Sequence, residues 1–173
     1  FICRIVLEYE DGTTEELVTD TTWEGTDGPV VFAEIYDGEI YDAAKEVDDW
    51  CCYDGVEGQW KQVTTAKVDS GILASQYASR TQMMDELPAK KVWKDSKGRT
   101  VIDFGQNMTG WPVCRVKGKQ GEQVEFSCFE TLDKNGDVYT ENLRLAKQSY
   151  TYTFKKDEID SLCNSLGQVL EEK

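Results

Sequence analysis

Gln123-Val124-Glu125-Phe126-Ser127-Cys128-Phe129 is the stretch that decides the fold. Val124, Phe126 and Cys128 alternate with Glu125 and Ser127, so one face is apolar and the other polar at a period of two. A helix would need its apolar residues at every third or fourth position, so this is a half-buried strand. The same punctuation extends outward on both sides. Upstream, glycines at 118 and 121 turn the chain back from a strand over 111–117, residues 105–110 turn it from 100–104, and Ser96-Lys97-Gly98 turns it from 91–94. Downstream, Asn135-Gly136 marks one more hairpin.

The first half reads in the same way. Residues 2–9 and 14–19 form a hairpin around Asp11-Gly12. A loop at 24–28 leads to 30–36, apolar enough for a buried strand, and Asp37-Gly38 breaks it. Residues 41–50 have mixed periodicity, fitting an irregular strand or a short helix, and 60–68 is a further strand. Short strands with turns at this spacing predict an all-β chain of two antiparallel, jelly-roll-like β-sandwich units. Pro88, in Glu86-Leu87-Pro88, divides them into residues 1–87 and 88–156. After Lys156, the residues Ile159, Leu162, Cys163, Leu166, Val169 and Leu170 recur at mostly three and four residue intervals, behind Asp157 and Glu158. That spacing predicts an amphipathic helix over 157–172, so that 157–173 is a separate helical tail.

Composition narrows the function. Of 173 residues, 39% are hydrophobic and 11% aromatic, enough for a packed core. The 19 basic and 33 acidic residues give a net charge of −14, which repels phosphate backbones and anionic bilayers, so neither nucleic acid nor membrane is expected as a partner. Apolar runs such as 30–33 are far too short to span a bilayer. No signal segment opens the chain, although one could lie upstream of Phe1 or have been cut away. The absence of histidine excludes Ser-His-Asp and Cys-His catalysis, and imidazole zinc sites, for this chain alone. The six cysteines, Cys3, Cys51, Cys52, Cys114, Cys128 and Cys163, show no CxxC spacing. Cys51 and Cys52 could close only a strained vicinal bridge. Cys3, Cys114 and Cys128 lie in strand-like segments as small hydrophobes. Free thiols fit a cytoplasmic setting, with secretion left open.

Asp133-Lys134-Asn135-Gly136-Asp137 with Glu141 has alternating oxygen ligands, but its glycine is fourth and Arg144 stands twelfth, where an EF-hand needs glycine sixth and glutamate twelfth. A hairpin turn is the better reading. Asn107-Met108-Thr109 has the form of a glycosylation acceptor, a tripeptide common by chance. With 33 acidic residues, carboxylate pairs of the kind inverting glycosidases use are easy to find and uninformative. Ile35-Tyr36-Asp37-Gly38-Glu39-Ile40-Tyr41-Asp42-Ala43 gathers three carboxylates and two tyrosines around one turn. Aromatic faces with carboxylates suit sugars, and clustered carboxylates suit calcium. The alternative is a turn whose acids cap backbone N–H groups while its tyrosines pack inward.

Two sets of residues resemble a known family. Asp11-Gly12, Thr19-Asp20, Trp23, Gly28-Pro29, the 35–43 segment and Trp50 resemble, in order and spacing, the amino-terminal β-sandwich module of bacterial α-L-rhamnosidases, glycoside hydrolase family 78. Val101-Ile102-Asp103-Phe104-Gly105-Gln106-Asn107-Met108-Thr109-Gly110-Trp111, then Gly118, Gly121, Glu130-Thr131-Leu132, Gly136, Tyr139 and Glu141-Asn142-Leu143-Arg144, are similar to the concanavalin-like sandwich that precedes the catalytic domain in those enzymes. The resemblance implies a parent hydrolase acting on rhamnose-containing glycans. In such enzymes a helical toroid carries the acidic residues for inverting hydrolysis. No counterpart of that toroid is present in these residues, so no catalytic residue is carried over and this chain alone is expected not to be catalytic.

The expected role is therefore a non-catalytic support for the catalytic toroid. The alternative implied by the resemblance is a calcium-dependent rhamnose-binding module, with Tyr36, Asp37, Glu39, Tyr41 and Asp42 as carbohydrate candidates and Asp37, Glu39 and Asp42 as calcium candidates. Ala44 stands where the family has an arginine, so a charge and a bidentate donor are lost there. The family pattern of the first module begins upstream of Phe1, which leads us to expect an unpaired sheet edge open to dimerisation or aggregation. Beyond Lys156 the family would continue as a glycine-rich strand; the helical tail expected here would be either a cap on the sheet or the product of a shifted reading frame.

Overall fold

The structure, a computed structural model, describes residues 1–52, 58–67, 71 and 74–162, with 158–162 described by backbone alone. In chain order its strands are β1 (Arg4–Glu8), β2 (Thr14–Val18), β3 (Glu24–Gly25), β4 (Val30–Glu34), β5 (Gly38–Asp42), β6 (Lys61–Gln62) and β7 (Lys91–Lys94). There follow β8 (Thr100–Asp103), β9 (Cys114–Gly118), β10 (Gln123–Ser127), β11 (Thr131–Leu132), β12 (Val138–Tyr139), β13 (Ser149–Thr153) and β14 (Glu158–Leu162). Short 3-10 turns lie at Ala43–Lys45 and Glu141–Leu143. The fold is all-β, and no helix among those residues is long and apolar enough to cross a membrane.

The chain forms two compact units: Phe1–Asp27 with Val47–Ser79, and Gly28–Glu46 with Arg80–Lys173. In the first, β1 and β2 pair antiparallel from Arg4↔Val18 to Glu8↔Thr14. Their turn closes because Asp11 Oδ1 accepts from the Thr13 N–H at 2.9 Å and from its hydroxyl at 2.7 Å, while Gly12 takes φ 82°. β3 pairs with β6, and the Trp23 indole donates to the Val18 carbonyl at 3.1 Å.

The second unit is built on a four-stranded sheet in the order β10-β13-β5-β4. Its core joins Ala43, Tyr152 and Phe154 with Tyr41, Val124 and Phe126, and β9 adds Cys114 and Val116. Tyr152 stacks on Tyr41 at 5.6 Å and meets Phe154 edge-on at 5.3 Å, the two arrangements that aromatic quadrupoles favour. Gly118 lies against Phe154, and a Cβ there would overlap the ring. β7 with β8, and β11 with β12, form separate antiparallel pairs. The turn at 133–137 is the hairpin expected from Asn135-Gly136: Asp133 Oδ1 accepts the N–H groups of Asn135 at 2.8 Å and Asp137 at 2.9 Å.

Three expectations are corrected. The helix expected over 157–172 is not formed over its first residues: Glu158–Leu162 is strand β14, paired antiparallel with β9 from Glu158↔Gly118 to Leu162↔Cys114. The free edge of β9 offers a ladder of N–H and C=O groups, and that tertiary pairing overrides the local three-and-four spacing. Residues 163–172 of that expectation lie outside the described residues. The segment starting at Val30 is an edge strand, not a buried one, with Val30, Val31 and Phe32 at 42, 52 and 41% exposure. Finally, the sheets are not wholly antiparallel, because β13 pairs parallel with β5 from Ser149↔Gly38 to Thr153↔Asp42. That pairing brings together strands more than a hundred residues apart, which no hairpin signal announces.

Candidate functional site

The 35–43 segment is the β4–β5 turn followed by β5 itself. Glu34 folds its carboxylate over the turn and accepts from the N–H groups of Tyr36 at 2.7 Å and Asp37 at 3.0 Å. The turn is then tied to the strand entering β13. The Tyr36 carbonyl accepts from Lys147 N at 2.9 Å and Gln148 N at 3.1 Å, and the Asp37 carbonyl from Ser149 N at 3.2 Å. Gly38, at φ 100°, sits so close to Ser149 that a Cβ would overlap its carbonyl oxygen. Only glycine fits: the Asp37-Gly38 break expected after the strand from Val30 is the turn from β4 into β5, and Gly38 is the first residue of β5.

The five candidate side chains have separate surroundings. Tyr36 is 67% exposed. Asp37 pairs with Lys147 Nζ at 3.2 Å in a solvent-exposed ion pair, a contact of small energetic weight. Glu39 and Tyr41 point to the inner face of the sheet, where Tyr41 donates its hydroxyl to Glu46 Oε1 at 2.8 Å. Glu46 in turn lies 3.8 Å from Lys155 Nζ. Asp42 caps the 3-10 turn, its Oδ1 accepting from Ala44 N at 3.1 Å. At roughly 3.4 Å per residue, Asp37 and Asp42 stand about 17 Å apart, at opposite ends of β5. Glu39 is on the opposite face from Asp42. The three carboxylates therefore do not converge, and among the described residues no group of three His, Cys, Asp or Glu side chains is placed to hold a metal ion.

Glu39 is the chemically distinct member. It is 8% exposed, and burial pushes its carboxyl above the usual range. Beside it in the parallel register is Tyr150, whose phenol is raised by burial first, then by Cys128 and by Glu39. A raised carboxyl could serve as a general acid, but hydrolysis by inversion needs a second carboxylate on the far side of the scissile bond. The inner face of this sheet carries Val30, Ala33, Tyr41, Val124, Phe126, Tyr150 and Tyr152 besides Glu39, and none of these supplies one. The outer face carries Glu34, Asp42 and Glu125, directed away from Glu39.

Sequence reasoning missed the partners of this segment: Lys147, Ser149, Tyr150 and Tyr152 on one side, Glu46 and Lys155 on the other. A signal for the first group was present. Ser149-Tyr150-Thr151-Tyr152-Thr153-Phe154 alternates aromatics with hydroxyls, a strand pattern as clear as that of β10.

Comparison with known proteins places both halves of the chain. A model of the alpha-L-rhamnosidase N-terminal domain matches residues 1–85, and a model of the bacterial alpha-L-rhamnosidase concanavalin-like domain matches residues 93–165. The curated alpha-L-rhamnosidase of Streptomyces avermitilis is 36% identical over 155 residues, covering 89% of this chain and 15% of that protein. A crystal structure of a Streptomyces avermitilis alpha-L-rhamnosidase complexed with L-rhamnose superposes with a TM-score of 0.82 at 34% identity, over 93% of this chain and 16% of that one. The native Aspergillus terreus enzyme superposes with a TM-score of 0.83 at 30% identity, over 93% and 18%. The chain thus spans about a sixth of the length of the relatives it matches.

Proposed function

This chain belongs to the bacterial α-L-rhamnosidase family, and we propose that it serves there as a non-catalytic β-sandwich region supporting a glycoside hydrolase domain that acts on rhamnose-containing glycans. The observation that carries this reading is the imbalance between buried and exposed apolar surface. Among the described residues the buried hydrophobic side chains are Ala43, Val101, Tyr152 and Phe154, whereas β1, β2 and β4 leave Ile5, Val6, Leu7, Leu17, Val18 and Phe32 exposed. Strands with apolar residues exposed in this density gain their stabilisation only when another surface covers them. One further feature agrees with a supporting role: the buried carboxyl on β5, Glu39, has no second carboxylate on its face of the sheet.

The reading is tested by incubating the purified, folded chain with an aryl α-L-rhamnoside. No release of the aryl alcohol above the uncatalysed rate is expected. Turnover that survives purification to homogeneity, and falls when Glu39 is replaced by Gln, would overturn it.

A further inference from the structure

Cys51 and Cys52 are adjacent and both exposed. They sit on a turn opened by Asp49, which takes φ 55° and accepts the Cys52 N–H on its carbonyl at 2.9 Å. The Cys52 thiol donates to Asp49 Oδ1 at 3.8 Å, and the two thiols interact with each other. The other described cysteines differ. Cys3, Cys114 and Cys128 are half-buried, and burial pushes the thiols of Cys114 and Cys128 up. Among the described residues, two exposed thiols occur together only here.

We infer that Cys51 and Cys52 form a two-point binding site for a pyramidal, thiophilic centre of the trivalent arsenic type. Three features select that chemistry. Sulfurs on neighbouring residues cannot take opposite sides of a linear centre such as divalent mercury, but they can occupy two adjacent corners of a pyramid. A tetrahedral cation would need further protein ligands, and no group of three is placed for one among the described residues. Oxidation of the pair is disfavoured because a bridge between adjacent residues is strained, and because Asp49 and the net charge of −14 repel anionic disulfides. Partial desolvation first, and the Asp49 carboxylate next, push the Cys52 thiol up from its ordinary value, which slows attack on disulfides. An organic arsonous acid is neutral and needs no oxidant. Two As–O bonds break and two As–S bonds form; each thiol proton leaves with a hydroxide, releasing two waters, and arsenic stays trivalent.

The experiment adds phenylarsonous acid to the reduced chain and follows intact mass, free thiols and affinity. A single adduct is expected, with free thiols falling from six to about four, the stoichiometry of one chelated centre. Affinity should drop by about 100-fold in Cys51→Ser and in Cys52→Ser, since the second thiol acts at high effective concentration. Cys3→Ser should bind as the parent does. Far-UV circular dichroism checks that each variant is folded. Absence of an adduct, consumption of one thiol only, or full affinity in either serine variant at the pair would overturn the inference.

Discussion

Gly38 carries two constraints that no other residue meets: a backbone at φ 100° and a carbonyl oxygen of Ser149 where a Cβ would be. Gly38→Ala should therefore destabilise the second unit by about 2 kcal/mol or more, combining left-handed strain with displacement of β13. Denaturant midpoints measure this, and an unchanged midpoint would contradict the β5–β13 register. One residue on, Glu39 is expected to lower stability at neutral pH. Its carboxyl, raised above the ordinary 4.5 by burial, is uncharged at low pH without penalty. The charged form carries the desolvation cost once pH exceeds the folded value. Glu39→Gln should thus raise the denaturant midpoint at pH 7, and the gain should vanish as pH falls through the folded value toward 4.5. A gain that is the same at both pH values would show that the side chain's shape, not its charge, matters. The opposite sign holds at Asp95, where burial raises the carboxyl but hydrogen bonds from Arg99 and from backbone N–H groups outweigh it, leaving a net lowering. Stability from that group is present above the unfolded carboxyl value and is lost as pH falls through the folded one.

Among the elements, β13 joins the sheet, pairing with β10 on one side and β5 on the other, and Phe154 just beyond it fills the core. Phe154→Ala should cost about 3–5 kcal/mol by transfer loss and cavity formation, read from chemical denaturation. A cost below about 1 kcal/mol, the level of an exposed position, would place the core elsewhere. The short strands were legible because their turns are: Asp11-Gly12, Ser96-Lys97-Gly98 and Asn135-Gly136 each close an antiparallel pair in the structure. What was illegible is long-range. The parallel partnership of β5 with β13 depends on chain crossing, and β14 depends on the open edge of β9. Its own sequence, with Ile159 and Leu162 three apart, reads equally as helix. If β14 is the sole ladder partner of β9 among the described strands, removing residues 157–173 should abolish hydrogen-exchange protection in β9. Retained protection would contradict the pairing. The candidate site was legible only as a list of residues. Tyr36, Asp37, Glu39, Tyr41 and Asp42 do lie on one turn and one strand, but the alternation of a strand sends Glu39 inward and Asp42 outward, a consequence of geometry that adjacency in sequence conceals.

For the whole molecule, exposed strand faces are the feature that the proposed supporting role explains. Replacing Phe32 by Ser in the isolated chain should change stability by no more than about 0.5 kcal/mol, since the side chain is already exposed, and should reduce binding of a hydrophobic dye. In a full-length parent hydrolase the same substitution should lower the melting temperature, because the face would there be covered. The two family matches, 1–85 and 93–165, meet near residues 86–92, yet the compact second unit takes in Gly28–Glu46 as well. The β4–β5 hairpin thus belongs by sequence to the first match and by packing to the second unit. The central claim, that the chain supports rather than performs or recruits sugar chemistry, is tested most directly by titration calorimetry of L-rhamnose into the folded chain, with calcium and again with a chelator. No saturable heat in either condition is the predicted result. Saturable heat at millimolar or tighter affinity, abolished by chelator and by Asp42→Ala, would contradict it and make the 35–43 segment a calcium-held sugar site.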